Sequence, residues 1–223
     1  MSEPDALTPD GRPFVLGLTG NIACGKSTVL AMLTTLGAEP IDADTVYHGL
    51  IGPGMPLWRA LRDAFGREIV TVEGEIDRLV LGARVFSDLA ELARLDALTH
   101  PAVVAEIERR IAASSSKIIA IDAVKLIESG LIEACDVVWV VTCPPEQQIT
   151  RLEERNGLSR ADAEARVAIQ PPIADKLVLA DVVIDNGGDL VATRRQVEAA
   201  WADLGDGGAR RADENLGGAG CPG

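Results

Sequence analysis

The run Gly20-Asn21-Ile22-Ala23-Cys24-Gly25-Lys26-Ser27 matches G-x-x-x-x-G-K-[ST], and its flanks are those a phosphate-binding loop requires. Ahead of it stands the apolar strand candidate Phe14–Thr19. Behind it, residues 28–36 form an apolar, helix-compatible stretch that stops at Gly37. A chain of 223 residues meets the four fixed positions by chance about once in a hundred. Gly20 and Gly25 permit a tight turn and a close backbone approach to a ligand. The amides of residues 22–27 then point at phosphate oxygens from a helix N-terminus, whose dipole favours anions. Asn21 and Thr28 bound the same segment. Lys26 reaches the β- and γ-phosphates, and the Ser27 hydroxyl is placed to ligate Mg²⁺. The plain alternative, a Gly-rich turn that binds nothing, does not explain the strand–loop–helix context. These residues predict binding of a nucleoside triphosphate.

Length and composition suit one large α/β domain or a core with an insertion. Aromatic residues make up 3% of the chain, so the core must consist mainly of Leu, Val, Ile and Ala. The net charge of −13 argues against a nucleic-acid or anionic-membrane surface, which would repel the chain at long range. Four cysteines (Cys24, Cys135, Cys143, Cys221) lack any C-x-x-C pairing, which fits a reducing cytoplasm and no structural zinc. Cys24 sits at a helix N-terminus, where a thiol pKa can fall, or else is a small residue filling the loop. No apolar run reaches transmembrane length, and residues 1–12 lack the apolar segment of a signal peptide.

Residues 1–12 and 205–223 have the composition of disordered ends. Between them strands alternate with helices. A short strand is expected at 39–42, then a mostly helical block with segments at 45–51, 56–65, 77–86, 88–98 and 101–113. Strands follow at 117–121 and 136–141, helices at 145–156, 159–169 and 172–179, a strand at 181–184 and a helix at 190–204. The pattern predicts a three-layer α/β fold, a central parallel sheet with helices on both faces. The core would comprise residues 13–47 and 113–204 with a helical lid at about 146–172. The helical block at 48–112 would form an acceptor-side subdomain.

Further chemistry lies at strand ends, where ligands bind in such sheets. Asp42 and Asp44 end the second strand. One suits accepting a proton from an acceptor hydroxyl, the other helping to hold Mg²⁺. Asp44 could instead simply N-cap the next helix, whereas a buried strand-end Asp42 calls for a functional reason. Asp122 follows the apolar run 118–121, the form of a Walker B strand, and is a second candidate near Mg²⁺. Arg151 and Arg155 share one helix face, as a closing lid would need to neutralise a transferring phosphoryl group. They could also be a solvated face paired with Glu153 and Glu154. His100-Pro101 reads as a helix start with Pro at N1. Asp77-Arg78 could bind an acceptor phosphate or simply be exposed.

Taken in order and spacing, these residues resemble the dephospho-CoA kinase family. The carriers are Gly17-Leu18-Thr19-Gly20 with the loop, Ile41-Asp42-Ala43-Asp44, Gly52-Pro53-Gly54, Phe65-Gly66 and Gly74-Glu75-Ile76-Asp77-Arg78. Val85-Phe86, Thr99-His100-Pro101, Gln148 with Arg151, Arg155-Asn156-Gly157-Leu158-Ser159, Gln170 and Ala180–Gly187 continue the match. The resemblance implies ATP- and Mg²⁺-dependent phosphorylation of the ribose 3′-hydroxyl of dephospho-CoA by a monomeric cytoplasmic enzyme without nucleic-acid or membrane partners. It makes Asp42 the general base, with Lys26 and Arg151 stabilising the transferred group. It also implies Arg155, Asn186 and Gly187 near the nucleotide, acceptor contacts from Asp42, Asp44, Arg78, His100, Asp122 and Glu128, and Mg²⁺ ligands among Ser27, Asp44 and Asp122.

Two departures stand out. The loop carries Asn21-Ile22-Ala23-Cys24 where small, glycine-rich residues are usual. The segment Asp122-Ala123-Val124-Lys125-Leu126-Ile127-Glu128 has Val124 and Lys125 where the family has Pro and Leu. A lysine buried unpaired would be costly, so Lys125 must reach solvent or a phosphate, or else acceptor binding is altered. Another kinase of the same architecture, or a catalytically silent nucleotide-binding relative, would share much of this pattern. A GTPase switch would need N-K-x-D, which is absent.

Overall fold

The computed structural model describes residue 8 and residues 11–86 and 88–207. The remainder, including residues 1–7 and 208–223, lies outside the described residues; of the C-terminal stretch 205–223 expected to be disordered, residues 205–207 instead end the last helix. In chain order the elements are β1 (Phe14–Thr19), α1 (Lys26–Thr35), β2 (Glu39–Asp42), α2 (Ala43–Leu50), α3 (Pro56–Phe65), α4 (Arg78–Phe86) and α5 (Leu89–Ala113). Then come β3 (Ile118–Asp122), β4 (Val137–Thr142), α6 (Pro145–Asn156), α7 (Arg160–Ala168), α8 (Ile173–Leu177), β5 (Val182–Asp185) and α9 (Leu190–Gly207). The chain divides into two compact units.

The first unit comprises Met1–Pro40, Ser115–Val124 and Cys135–Gly223. The sheet order is β2-β3-β1-β4-β5, with β1 parallel to both β3 and β4, and β4 parallel to β5. β1 is buried throughout, as are the first residues of β3 and β4, which is why these strands read as unbroken apolar runs. On one face Leu16, Leu18, Ala120, Trp139 and Val141 pack against Val29 and Leu33 of α1 and Val197 and Trp201 of α9. Each such fully buried aliphatic side chain contributes about 1.5–3 kcal/mol. Two aspartates fix strand starts. Asp136 accepts from the Val15 amide at 2.8 Å, and Asp181 from the Val138 amide at 2.7 Å. Arg12, inside the stretch expected to be disordered, donates to Asp136. β1 is where the order of connections turns from one side of the sheet to the other, so the loop leaving its C-terminal end sits at the crevice such sheets use for ligands.

The second unit comprises Ile41–Ser114 and Lys125–Ala134, a wider span than the expected block at 48–112. Its core joins Ile51, Leu57, Leu61, Phe65, Ile69, Ile76, Leu81 and Val85. Leu57, Leu61 and Phe65 recur every four residues, which puts them on one face of α3. One expectation fails here. His100-Pro101 does not open a helix, because α5 runs unbroken for 25 residues with Pro101 inside it. An interior proline removes one backbone bond and costs about 3 kcal/mol. Packing on both sides of it offsets this: Leu92, Leu95 and Leu98 pack on the core before the proline, and Ile107 and Ile111 are buried after it. No helix of the described residues is long and apolar enough to cross a membrane.

Candidate active site

The loop from Gly20 to Ser27 is shaped by two glycines. Gly20 has φ 149°, and a Cβ there would collide with the Val141 carbonyl and lie 2.8 Å from Cys24 Sγ. Gly25, at φ 98°, is the left-handed N-cap of α1, and a Cβ would run into the Asn186 side-chain amide. Gly25→Ala therefore strains the backbone by about 1–3 kcal/mol and displaces Asn186. At about 2–4 °C per kcal/mol for a chain this long, thermal unfolding should show a Tm several degrees lower, with weakened ATP binding.

The unusual residues inside the loop have local partners. Asn21 Nδ2 donates to Pro171 O at 3.2 Å, and the Ile22 amide donates to Gln170 Oε1 at 3.4 Å. Ile22 and Ala23 pack against Ile149, Leu152 and Ala163 of the α6–α7 hairpin. The hairpin thus supplies contacts that side chains at these positions exploit and glycines could not. Cys24 is 1% exposed, and its burial pushes the thiol pKa up despite the nearby Lys26 charge and amide. That overturns the activated-thiol reading and leaves Cys24 as a filler.

Lys26 Nζ lies 4.0 Å from Asp122 Oδ1, both largely shielded. Asp122 reaches this place because it ends β3 in register with Leu18 of β1. Ser27, in the first turn of α1, is exposed. A hydroxyl and a carboxylate oxygen are hard ligands of the kind Mg²⁺ takes when phosphate oxygens and water complete its shell. Among the described residues no group of three or more His, Cys, Asp and Glu could form an all-protein cage.

Arg151, expected as a lid cation, lies against the carbonyl side of the loop. Its Nη1 donates to Ala23 O and Cys24 O, each at 3.1 Å, and its Nη2 donates to Asn186 O at 2.9 Å. Gln147, one helical turn earlier, accepts from the same Nη2 at 3.3 Å and donates to Gly187 O at 2.7 Å. Buried Asn186 closes the bracket, donating to Cys24 O at 2.8 Å and accepting from Thr193 Oγ1 at 2.9 Å. Pinning the carbonyls on one side leaves loop amides to the other. Arg155 is exposed at the end of α6 and joins none of this. The expected alternative partner of these arginines, Glu153, instead lies 3.9 Å from Arg160.

In the second unit it is Asp42, not Asp44, that caps α2. Its Oδ1 accepts from the Asp44 amide at 2.8 Å and the Thr45 amide at 3.1 Å. Asp42 is exposed rather than buried, so the cap, not burial, is the structural reason for a carboxylate here. Oδ2 accepts no hydrogen bond from any described residue. Asp44, in the first turn of α2, is likewise exposed. Asp77 caps α4 by accepting from the Leu79 and Val80 amides, which leaves Arg78 as the exposed member of that pair.

Lys125 resolves its own departure. Half-exposed, it donates to both oxygens of Asp96, at 2.7 and 2.8 Å. Asp96 Oδ1 also lies 3.3 Å from His100 Nε2. Glu128 is exposed on the same turn. Burial pushes the His100 pKa below its ordinary 6.5, against the pull of Asp96 and with help from Lys125. The unfolded chain therefore takes up a proton at a pH where folded His100 does not. This contribution to stability is complete above pH 6.5 and declines as pH falls through that value. His100→Gln should flatten the fall of Tm between pH 7 and 5.

A family model for dephospho-CoA kinase matches residues 14–192. This chain belongs to the dephospho-CoA kinase family. It is a kinase of coenzyme A biosynthesis on a P-loop nucleotide-binding fold. It is similar to a dephospho-CoA kinase of Carboxydothermus hydrogenoformans, 43% identical over 82% of this chain and 90% of that relative. Among solved structures it is similar to one from Thermus thermophilus, with a TM-score of 0.75 and 30% identity over 86% of this chain and 98% of the other. A dephospho-CoA kinase from Campylobacter jejuni gives a TM-score of 0.64 and 28% identity over the same shares.

Several residues in the site were not singled out in the sequence as site residues. Gln147 was recoverable from its four-residue spacing to Arg151. Thr193 was not, because its partner is seven residues away across a turn. Lys176, 2% exposed on α8, donates to the Val124 carbonyl at 2.6 Å. A proline at 124, as the resemblance implies, would offer the same carbonyl, so that departure preserves this contact.

Proposed function

We propose that this protein transfers the γ-phosphoryl group of ATP in line to the ribose 3′-hydroxyl of dephospho-CoA, giving coenzyme A and ADP. The observation that carries this reading is a braced phosphate loop, with Lys26 and Asp122 beside it, inside a family match covering residues 14–192. Loop amides and Lys26 bind and orient the phosphates, and Lys26 offsets charge on the transferring group. Arg151 fixes the loop in that form. Asp42 takes the acceptor proton at Oδ2 while Oδ1 stays on the α2 cap. Ser27 and Asp122 would hold Mg²⁺, with Asp44 a third candidate ligand. Held there, Mg²⁺ would supply positive charge to offset that of the phosphates. Arg155, Asn186 and Gly187 border the nucleotide; Arg78, His100 and Glu128 serve the acceptor.

The helical segment around α2–α5 acts as the acceptor-side subdomain and the α6–α7 hairpin as the lid. The net charge of −13 supports a small-molecule enzyme without a nucleic-acid partner, and four cysteines without a C-x-x-C pair fit a reducing cytoplasm. We take the working form to be a monomer. The accommodation of Lys125 by Asp96 removes the main reason to read the chain as catalytically silent. ADP release should be measured with ATP and Mg²⁺ against dephospho-CoA, free nucleosides and small sugar acids. Release that depends on dephospho-CoA supports the proposal; preference for another acceptor would refute it.

A further inference from the structure

A hollow of about 250 Å³ in the second unit is lined by His48, Ile51, Gly52, Pro53, Glu75, Ile76 and Arg78. Whole small ligands occupy roughly 300–1,000 Å³, so this hollow suits a fragment of one. Arg78 Nη1 meets His48 Nε2 across it. Arginine stays charged and can only donate, so Nε2 accepts and His48 carries its proton on Nδ1. Arg78 makes no ion pair with a carboxylate of any described residue, although Glu75 lines the same hollow and the chain carries 34 acidic residues. The Tyr47 ring, 5.8 Å away and tilted by 50°, flanks the imidazole. The result is a fixed charge with spare donors beside a second donor, in a fragment-sized opening.

We propose that His48 and Arg78 together bind the diphosphate of the acceptor, making His48 an acceptor-binding residue. This rests on the proposed function, since dephospho-CoA carries its negative charge on that diphosphate diester. The guanidinium fork engages one phosphate, and the Nδ1–H of His48 serves the other. Asp42 does the chemistry elsewhere, so His48 tightens binding without touching the reacting hydroxyl.

The test is steady-state kinetics on the full chain. In His48→Ala the KM for dephospho-CoA should rise about tenfold, with kcat and the KM for ATP within about twofold of the original, as expected for loss of one charge-assisted bond to a phosphate. His48→Gln, whose amide keeps both an acceptor for Arg78 and a donor for the phosphate, should recover most of that loss. The Ki of adenosine competing with dephospho-CoA should not move in either variant, because adenosine has no diphosphate. An unchanged KM in His48→Ala, or an adenosine Ki that rises in parallel, would overturn the proposal. If the unsubstituted protein does not turn over dephospho-CoA, the proposed function fails first. Equilibrium binding of dephospho-CoA then decides this inference: equal affinity in both forms refutes it, and weaker binding to His48→Ala sustains the site.

Discussion

Asp42→Asn should lower kcat with dephospho-CoA by about 10²–10⁴-fold while the affinity for ATP stays within about twofold. The substitution separates two jobs of one side chain. Asparagine caps helices about as well as aspartate, so its Oδ1 can keep the bonds from the Asp44 and Thr45 amides and α2 stays in place. What changes is the second atom. Oδ2, free of described partners, becomes an amide nitrogen that cannot accept a proton. Asp42→Ala, by contrast, should also cost about 1 kcal/mol of stability through the lost cap. Near-normal turnover in Asp42→Asn, with an unchanged Tm, would remove Asp42 from the chemistry and leave it a helix cap.

Arg151→Lys should raise the KM for ATP at least about tenfold and lower the Tm. The guanidinium spans Ala23 O, Cys24 O and Asn186 O at once, which a single ammonium cannot do. Charge-assisted bonds contribute about 1.5–3 kcal/mol each, and about 1.4 kcal/mol is tenfold in affinity, so losing even one suffices. The freed carbonyls let the loop relax from the form that presents its amides. The split between constants matters here. A fall in kcat with ATP binding and Tm untouched would mean that Arg151 acts on the transferring phosphoryl group and that bracing the loop is incidental.

The fold was legible where local pattern and tertiary demand agree. β1, β3 and β4 are covered on both faces, so their apolar runs marked them within a residue or so. Pro56 and Pro145 opened helices where a proline at the first turn is expected. Pro101 used the same local signal and misled, because the packing of Leu92 and Leu95 and the burial of Ile107 and Ile111 along α5 outweigh one missing backbone bond. In the candidate site the loop residues could be read from spacing alone. The cap swap between Asp42 and Asp44 could not, since it depends on where the strand stops, and element boundaries are the least readable feature of a sequence. The Lys125–Asp96 pair was hidden for another reason. Its members are 29 residues apart and nothing local connects them. The same holds for Arg78 and His48, 30 residues apart, and for Arg151 and the loop carbonyls, more than 120 apart.

The most direct test of the central claim is to identify the product. The full chain is incubated with ATP, Mg²⁺ and dephospho-CoA, and the product is examined by mass spectrometry and phosphorus NMR. The account predicts one added phosphate, present as a monoester on the ribose 3′-oxygen and formed in equal amount with ADP. ADP formed without that product, or a phosphate on any other oxygen of the acceptor, would contradict it.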